Sequence, residues 1–314
     1  MRASDAISLP AQRGERKSVS IHGALPRGER VVEWILAGCG AITVLTTVGI
    51  LFVLAAECFA FLRTVGITPL IFDTQWTPLF SDKHFGLWPL IGGTALTSGV
   101  AILVALPLGL LSAIFMSELA TPRWRSVLKP ALEVLAGVPT IVYGYFALVV
   151  VTPALQLIVP DLSGFNALSP GIVMGIMITP MIASLTEDAL YAVPKGLREA
   201  SYALGAAKVS TIWRVVVPAA MGGIAASVIL AVSRAVGETM IVAIAAGQEP
   251  RLTLDPRVPI ETMTAYIVQI SMGDIPAGTL EYRTIFVVGT ALFLITLCMN
   301  VLSYKLAKRF RGLS

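Results

Sequence analysis

The chain has 314 residues, 56% hydrophobic and 13% charged, with a mean hydropathy of +0.81 and a formal net charge of +4. That balance excludes an ordinary soluble domain. The excess positive charge does not describe a nucleic-acid surface either, because the basic residues sit at the edges of apolar runs without aromatic interleaving.

Six stretches free or nearly free of Asp, Glu, Lys and Arg are long enough to cross the roughly 30 Å hydrocarbon core of a bilayer. They predict helices at about 32–60, 89–117, 128–151, 170–187, 218–246 and 284–306. The first lies behind a 30-residue polar tail and lacks a small-residue cleavage site, so it reads as a retained span. Glu57, near its outer end, reads as an interfacial residue. The second follows an interfacial or re-entrant stretch at Phe85–Leu90 and is expected to start near Gly92, Gly93 and Thr94. Pro107, Pro139 and Pro180 fall in or beside helices, where they disturb the hydrogen-bond ladder.

Lysine and arginine counts orient these spans. The two tails, the 118–129 turn and the 187–214 loop hold 17 of these residues, against five in the alternate segments. The positive-inside rule puts both termini in the cytoplasm of a multi-pass cell-membrane protein. The resulting plan is a cytoplasmic tail at 1–30, a first transmembrane helix with an external segment at 31–88, a five-helix core at 89–306, and a short cytoplasmic tail at 307–314. The core includes a cytoplasmic loop at 188–216.

That loop patterns as two short helices joined at Gly205. Pro194 opens the first, and Val209, Ile212, Trp213 and Val216 recur at helical spacing in the second. Its apolar stripe either packs beneath the chain's own helices or docks into a cytoplasmic partner.

The fifth span carries the feature that points most directly to chemistry. Between residues 215 and 248 the only charges are Arg234 and Glu238. A charge at bilayer depth costs a few kcal/mol on the lowest estimates, so it is normally lodged in protein or on a polar path. Spacing of four puts the two on one helix face, where they can pair. A fixed guanidinium suits an oxyanion, and Glu238 would temper its hold. Ser233 and Thr239 flank the pair and can add hydroxyl donors. The alternative is an ion pair that merely locks the helix bundle.

Beyond the fifth span, segment 249–283 is external. Tyr266, Ile267, Ile270 and Met272 form a short amphipathic stretch placed at the membrane interface, and five acidic residues argue against anion binding there. Cys39, Cys58 and Cys298 match no metal spacing. The chain contains no G-x-x-x-x-G-K-[ST] phosphate cradle and no set of groups suited to hydrolysis. It does not read as an enzyme.

Residues 198–218, with Glu199-Ala200, Gly205 six positions after the glutamate and Pro218 thirteen beyond the glycine, resemble the "EAA" loop of ATP-binding-cassette importer permeases. Segments 107–118, 133–148, 179–194 and 233–247 resemble the phosphate-specific PstC-type subunits within the binding-protein-dependent transport permease family. Ser201 stands where a third alanine is usual.

The resemblance implies an all-α membrane protein, with six transmembrane helices in the type I ABC importer permease fold and a cytoplasmic coupling helix. It implies passage of inorganic phosphate along Arg234 and Glu238, with Ser233 and Thr239 beside them. Arg198, Glu199, Ala200 and Gly205 become the ATPase-coupling set, with Arg198 and Glu199 supplying charge toward the ATPase. The implied partners are a homologous PstA-like permease, two PstB-like ATPase subunits and an external PstS-like phosphate-binding protein. No cofactor is expected in this chain; ATP and magnesium would reside in the ATPase. Another oxyanion such as sulfate or molybdate, or an ion-driven secondary transporter, remain alternatives.

Overall fold

The computed structural model describes residues 27–311, so most of the basic N-terminal tail and the last three residues lie outside the described part. The chain divides into two units, Met1–Phe52 and Val53–Ser314. The described part of the first is the leading portion of α1 (Arg27–Val65), whose apolar side chains are exposed all round, as on a helix meant for lipid.

The second unit is built from helices, and its described residues hold isolated β-bridges but no strand. A short α2 (Thr68–Phe72) is followed by a loop in which Trp76 bridges Phe85. Then α3 (Trp88–Ile114) runs through Pro107 and widens into a π-helical turn at Phe115–Leu119, where the Ala120 amide reaches back five residues to the Phe115 carbonyl. It starts at Trp88, with Pro89 in the first turn where a missing N–H costs nothing. The glycines at 92 and 93 therefore lie inside the helix, and the start expected there is late by about a turn.

The third predicted span is a bent pair. The amphipathic α4 (Pro122–Gly137) meets α5 (Thr140–Phe146) at 88°, the latter continuing through a π turn and α6 (Thr152–Gln156). The bend falls at Val138-Pro139, where proline removes a donor and restricts the residue before it. Next comes α7 (Leu168–Tyr191), most of it buried. The loop holds α8 (Lys195–Ala203), then α9 (Lys208–Thr211), a π turn and α10 (Val217–Ala219).

A 70° bend leads into α11 (Met221–Val236), followed by α12 (Met240–Ala245). After a loop come α13 (Met263–Met272) and α14 (Leu280–Arg311). Among the described residues four helices are long and apolar enough to cross a membrane, or up to six spans if each bent pair is one.

The main core joins α3, α5, α7, α11 and α12 through Ala101, Ala105, Tyr143, Met174, Ile178 and Ile241. Helices in lipid gain little hydrophobic drive from one another, so small residues and close contact do the holding. Gly175 shows it: a Cβ there would lie 2.7 Å from the Ala101 carbonyl on α3. A second core gathers Phe61 of α1, Trp76, Phe85, Tyr266, Ile270 and Val287. The 266–272 stretch is accordingly not an interfacial helix. Tyr266 and Ile270 are buried, with Met272 left outside, because Trp76 stacks edge-on against Tyr266 and Thr284 of α14 hydrogen-bonds its hydroxyl. Glu57 pairs with Arg283 of α14 at 3.2 Å.

Candidate functional site

Arg234 lies in the last turn of α11, and Glu238 lies beyond its end. The helix stops at Gly237, and the next begins after Thr239. The pair therefore straddles a break and does not share one helix face. Its charged ends still approach to 3.7 Å, from Arg234 Nη2 to Glu238 Oε2, which is ion-pair range but too long for a hydrogen bond. The two partners differ in burial: the Glu238 side chain is 3% exposed and that of Arg234 47%. Thr264 of α13 donates to the Glu238 carbonyl at 2.6 Å, which holds the broken backbone in place.

The guanidinium lines a cavity of about 370 Å³, a volume near the lower end for small-ligand pockets, ~300–1,000 Å³. α4 supplies one wall with Lys129, Leu132, Glu133 and Ala136, and α7 supplies the other from Met177 to Glu187. The 88° turn at Val138-Pro139 makes this space by swinging α4 away from the line of α5.

The flanking hydroxyls do not enter it. Ser233 donates to Asn300 Oδ1 of α14 at 3.2 Å, and Thr239 donates to the Gly237 carbonyl at 3.3 Å. Each is committed to a protein acceptor, as hydroxyls in membrane helices commonly are.

Two ion pairs at the same end of the bundle escaped the sequence reading. Arg125 of α4 reaches Glu187 of α7 at 2.5 Å, and the Glu187 side chain is 1% exposed. Its position among the first charges after an apolar run marks it as the end of a span, when it is in fact buried. The available signal was the four-residue repeat Arg125, Lys129, Glu133 on one face of an amphipathic helix.

The second pair concerns the loop. Arg198 donates to Glu118 Oε1 at 2.8 Å and to the carbonyls of Val193 and Leu190 at 2.6 and 2.8 Å. The expected outward charge at Arg198 is corrected by this geometry: the guanidinium is turned inward, tying α8 to the ends of α3 and α7. Glu199 and Ala200 are exposed, along with Leu197, Tyr202, Leu204, Val209 and Trp213. Ser201 is buried against Thr211, the two hydroxyls 2.9 Å apart. Gly205 ends α8 at φ +80°, a left-handed conformation that favours glycine.

Among the described residues no group of three or more His, Cys, Asp and Glu is arranged to hold a metal. Away from this cavity, Asp73, Asp82 and His84 cluster in the loop before α3. His84 Nδ1 lies 2.7 Å from Asp73 Oδ2, and the Gln75 amide donates to Asp73 Oδ1 at 2.9 Å. The Asp73 hydrogen bond, with its charge, pushes the His84 pKa up. Burial pushes the Asp73 carboxyl up, but the Gln75 and His84 hydrogen bonds outweigh it and leave it below the usual value.

Residues 105–312 match the family described as binding-protein-dependent transport system inner membrane component. The chain is 34% identical over 278 residues to "Probable ABC transporter permease protein YqgH" of Bacillus subtilis, covering 88% of this chain and 89% of the relative. It is 32% identical to "Phosphate transport system permease protein PstC" of Mesorhizobium japonicum, over 96% of both chains. Its fold is similar to a chain of a bacterial alginate ABC transporter solved with an alginate-bound periplasmic protein (TM-score 0.59, 16% identity, 90% of this chain and 96% of that one). With this all-helical architecture and these matches over most of its length, the chain belongs to the binding-protein-dependent transport system inner membrane component family.

Proposed function

We propose that this chain is one of two related permease subunits of an ATP-driven importer, and that inorganic phosphate crosses the membrane past Arg234. The observation that carries the reading is the asymmetry of the Arg234–Glu238 pair. The cation reaches a cavity, while its counter-charge stays buried 3.7 Å away. Such a guanidinium offers a planar set of donors to an oxyanion, and the nearby carboxylate limits how tightly the anion is kept. The PstC names of several relatives favour phosphate over sulfate or molybdate.

The remaining parts follow from the same reading. Both termini face the cytoplasm, on the side where lysine and arginine concentrate. A PstA-like subunit completes the path, a PstS-like protein delivers phosphate from outside, and two PstB-like ATPases bind ATP and magnesium. The exposed apolar face of α8 and α9, with Glu199, Ala200 and the turn at Gly205, is the docking surface for one ATPase. Arg198 would carry the motion of that face inward through Glu118 to α3 and through the Leu190 and Val193 carbonyls to the end of α7.

The test is Arg234→Gln in the assembled importer, with uptake of radiolabelled phosphate, sulfate and molybdate measured in membrane vesicles. Phosphate uptake is expected to vanish while the subunits still co-purify. Normal uptake by that variant would sink the reading, and preferential wild-type uptake of another anion would reassign the substrate.

A further inference from the structure

The cavity that Arg234 reaches contains a second cation. Lys129 lines it from α4, half-buried, and makes no ion pair among the described residues. Two carboxylates share the lining, Glu133 and Glu187. Glu187 is already answered by Arg125 at 2.5 Å, and Glu133 is exposed. The charged lining residues left without a close partner are therefore Arg234, loosely offset by Glu238, then Lys129 and Glu133. Lys129 is the free cation of the α4 wall.

We propose that Lys129 is a second oxyanion contact, to which a phosphate-class anion passes from Arg234 before leaving the cavity. The inference rests on the phosphate-permease reading above. Conduction needs sites that attract the solute yet surrender it, and several weak contacts do this better than one strong one. The residue types suit the order. Arginine presents a rigid fork, whereas the ammonium of lysine is a compact, strongly hydrated charge with rotatable donors, able to take an anion without a fixed geometry. Glu133, one turn further along α4, supplies local repulsion that helps expel the anion. The competing role is a lysine that anchors α4 among lipid headgroups through its flexible stem, and the experiment separates the two.

In vesicles carrying the assembled importer and its binding protein, Lys129→Gln should lower the maximal rate of phosphate uptake about ten-fold, the scale of one lost charge-assisted hydrogen bond. Half-saturation by external phosphate should stay unchanged, and Lys129→Arg should keep most of the rate. A parallel Lys129→Cys variant, with Cys39, Cys58 and Cys298 replaced by serine, covers a folding defect in the first. Aminoethyl methanethiosulfonate, which restores a positive charge, should recover uptake; the sulfonatoethyl reagent should not; and saturating phosphate should slow both modifications.

Wild-type rates in Lys129→Gln would overturn the proposal. Repair by the aminoethyl group with labelling indifferent to phosphate would also overturn it and leave lipid anchoring, and a loss that the aminoethyl group does not repair would overturn both roles as a packing defect. Arg234→Gln assayed in the same vesicles separates the two readings. Normal transport by that variant removes the phosphate path itself, whereas its inactivity beside a normal Lys129→Gln removes only the second contact.

Discussion

Arg234 and Glu238 belong to different sides of a helix break, yet their charged ends meet at 3.7 Å across it. Had α11 continued unbroken, the pair would have been an ordinary one-turn surface contact worth a few tenths of a kcal/mol. The break at Gly237 instead sinks Glu238 into protein and leaves the guanidinium at the edge of a cavity. A backbone interruption at membrane depth is tolerated only where protein or a water-filled space satisfies the freed groups. Thr264 does part of that for the Glu238 carbonyl.

This arrangement predicts that Glu238→Gln impairs turnover more than assembly. Removing the carboxylate leaves Arg234 without its offset, so an anion should stay longer in the cavity. The maximal uptake rate is expected to fall about ten-fold, equivalent to ~1.4 kcal/mol, with subunits still co-purifying. An unchanged rate would show that the carboxylate does not temper the cation.

Arg198 should act as a brace for α8. Its pair with Glu118 is largely buried, with side chains 17% and 8% exposed, so removing one partner strands a charge. Breaking such a pair costs about 3 kcal/mol or more. In Arg198→Ala, ATP hydrolysis by the assembled complex should lose its dependence on loaded binding protein, and uptake should fall with it. The exchange Arg198→Glu with Glu118→Arg should recover part of the coupling. Full coupling in the single variant would rule the brace out.

The Arg125–Glu187 pair should matter for stability. Arg125→Met leaves the Glu187 carboxylate buried and uncompensated, at a cost of about 1–3 kcal/mol, because Arg125 is itself 38% exposed and partly screened. Thermal unfolding of the complex in detergent should shift down by several degrees. Adding Glu187→Met should restore much of the loss, since an apolar pair of similar volume replaces a buried ion pair well.

The Asp73–His84 contact should make the loop before α3 sensitive to pH. The His84 pKa is raised in the folded state, so its contribution is fully present below the ordinary histidine value near 6.5 and is lost as pH rises through the higher folded value. Asp73 is lowered, so its share holds above the ordinary carboxylate value and disappears only in acid. The loop before α3 should therefore be most protected in mildly acidic solution. Hydrogen exchange of peptides spanning 73–86, corrected for intrinsic rates, should accelerate from pH 6 to pH 8.5, and His84→Gln should abolish that change.

Much of this architecture was legible in the primary structure. Membrane crossing is a local property: some twenty consecutive apolar residues suffice, wherever the rest of the chain lies. The six spans, the positively charged edges, the helical loop with its glycine and the lone Arg234–Glu238 pair could all be read that way. Proline marked the bend at 139 as well, though the sequence could not say whether α4 would continue the span or leave it.

What required the folded chain was every relationship between distant segments. Arg198 looked like a surface charge until α8 folded back on Glu118, 80 positions away. Glu187 looked like the end of a span until α4 crossed it with Arg125. The 266–272 stretch looked interfacial until Trp76 and Thr284 closed over Tyr266. Hydropathy records how each residue meets lipid or water, so the sequence by itself determined how many times the chain crosses and where its charges fall. Which charges are paired, and which stay open to a cavity, depends on the 88° and 70° bends that bring remote helices together, and only the tertiary structure decided that.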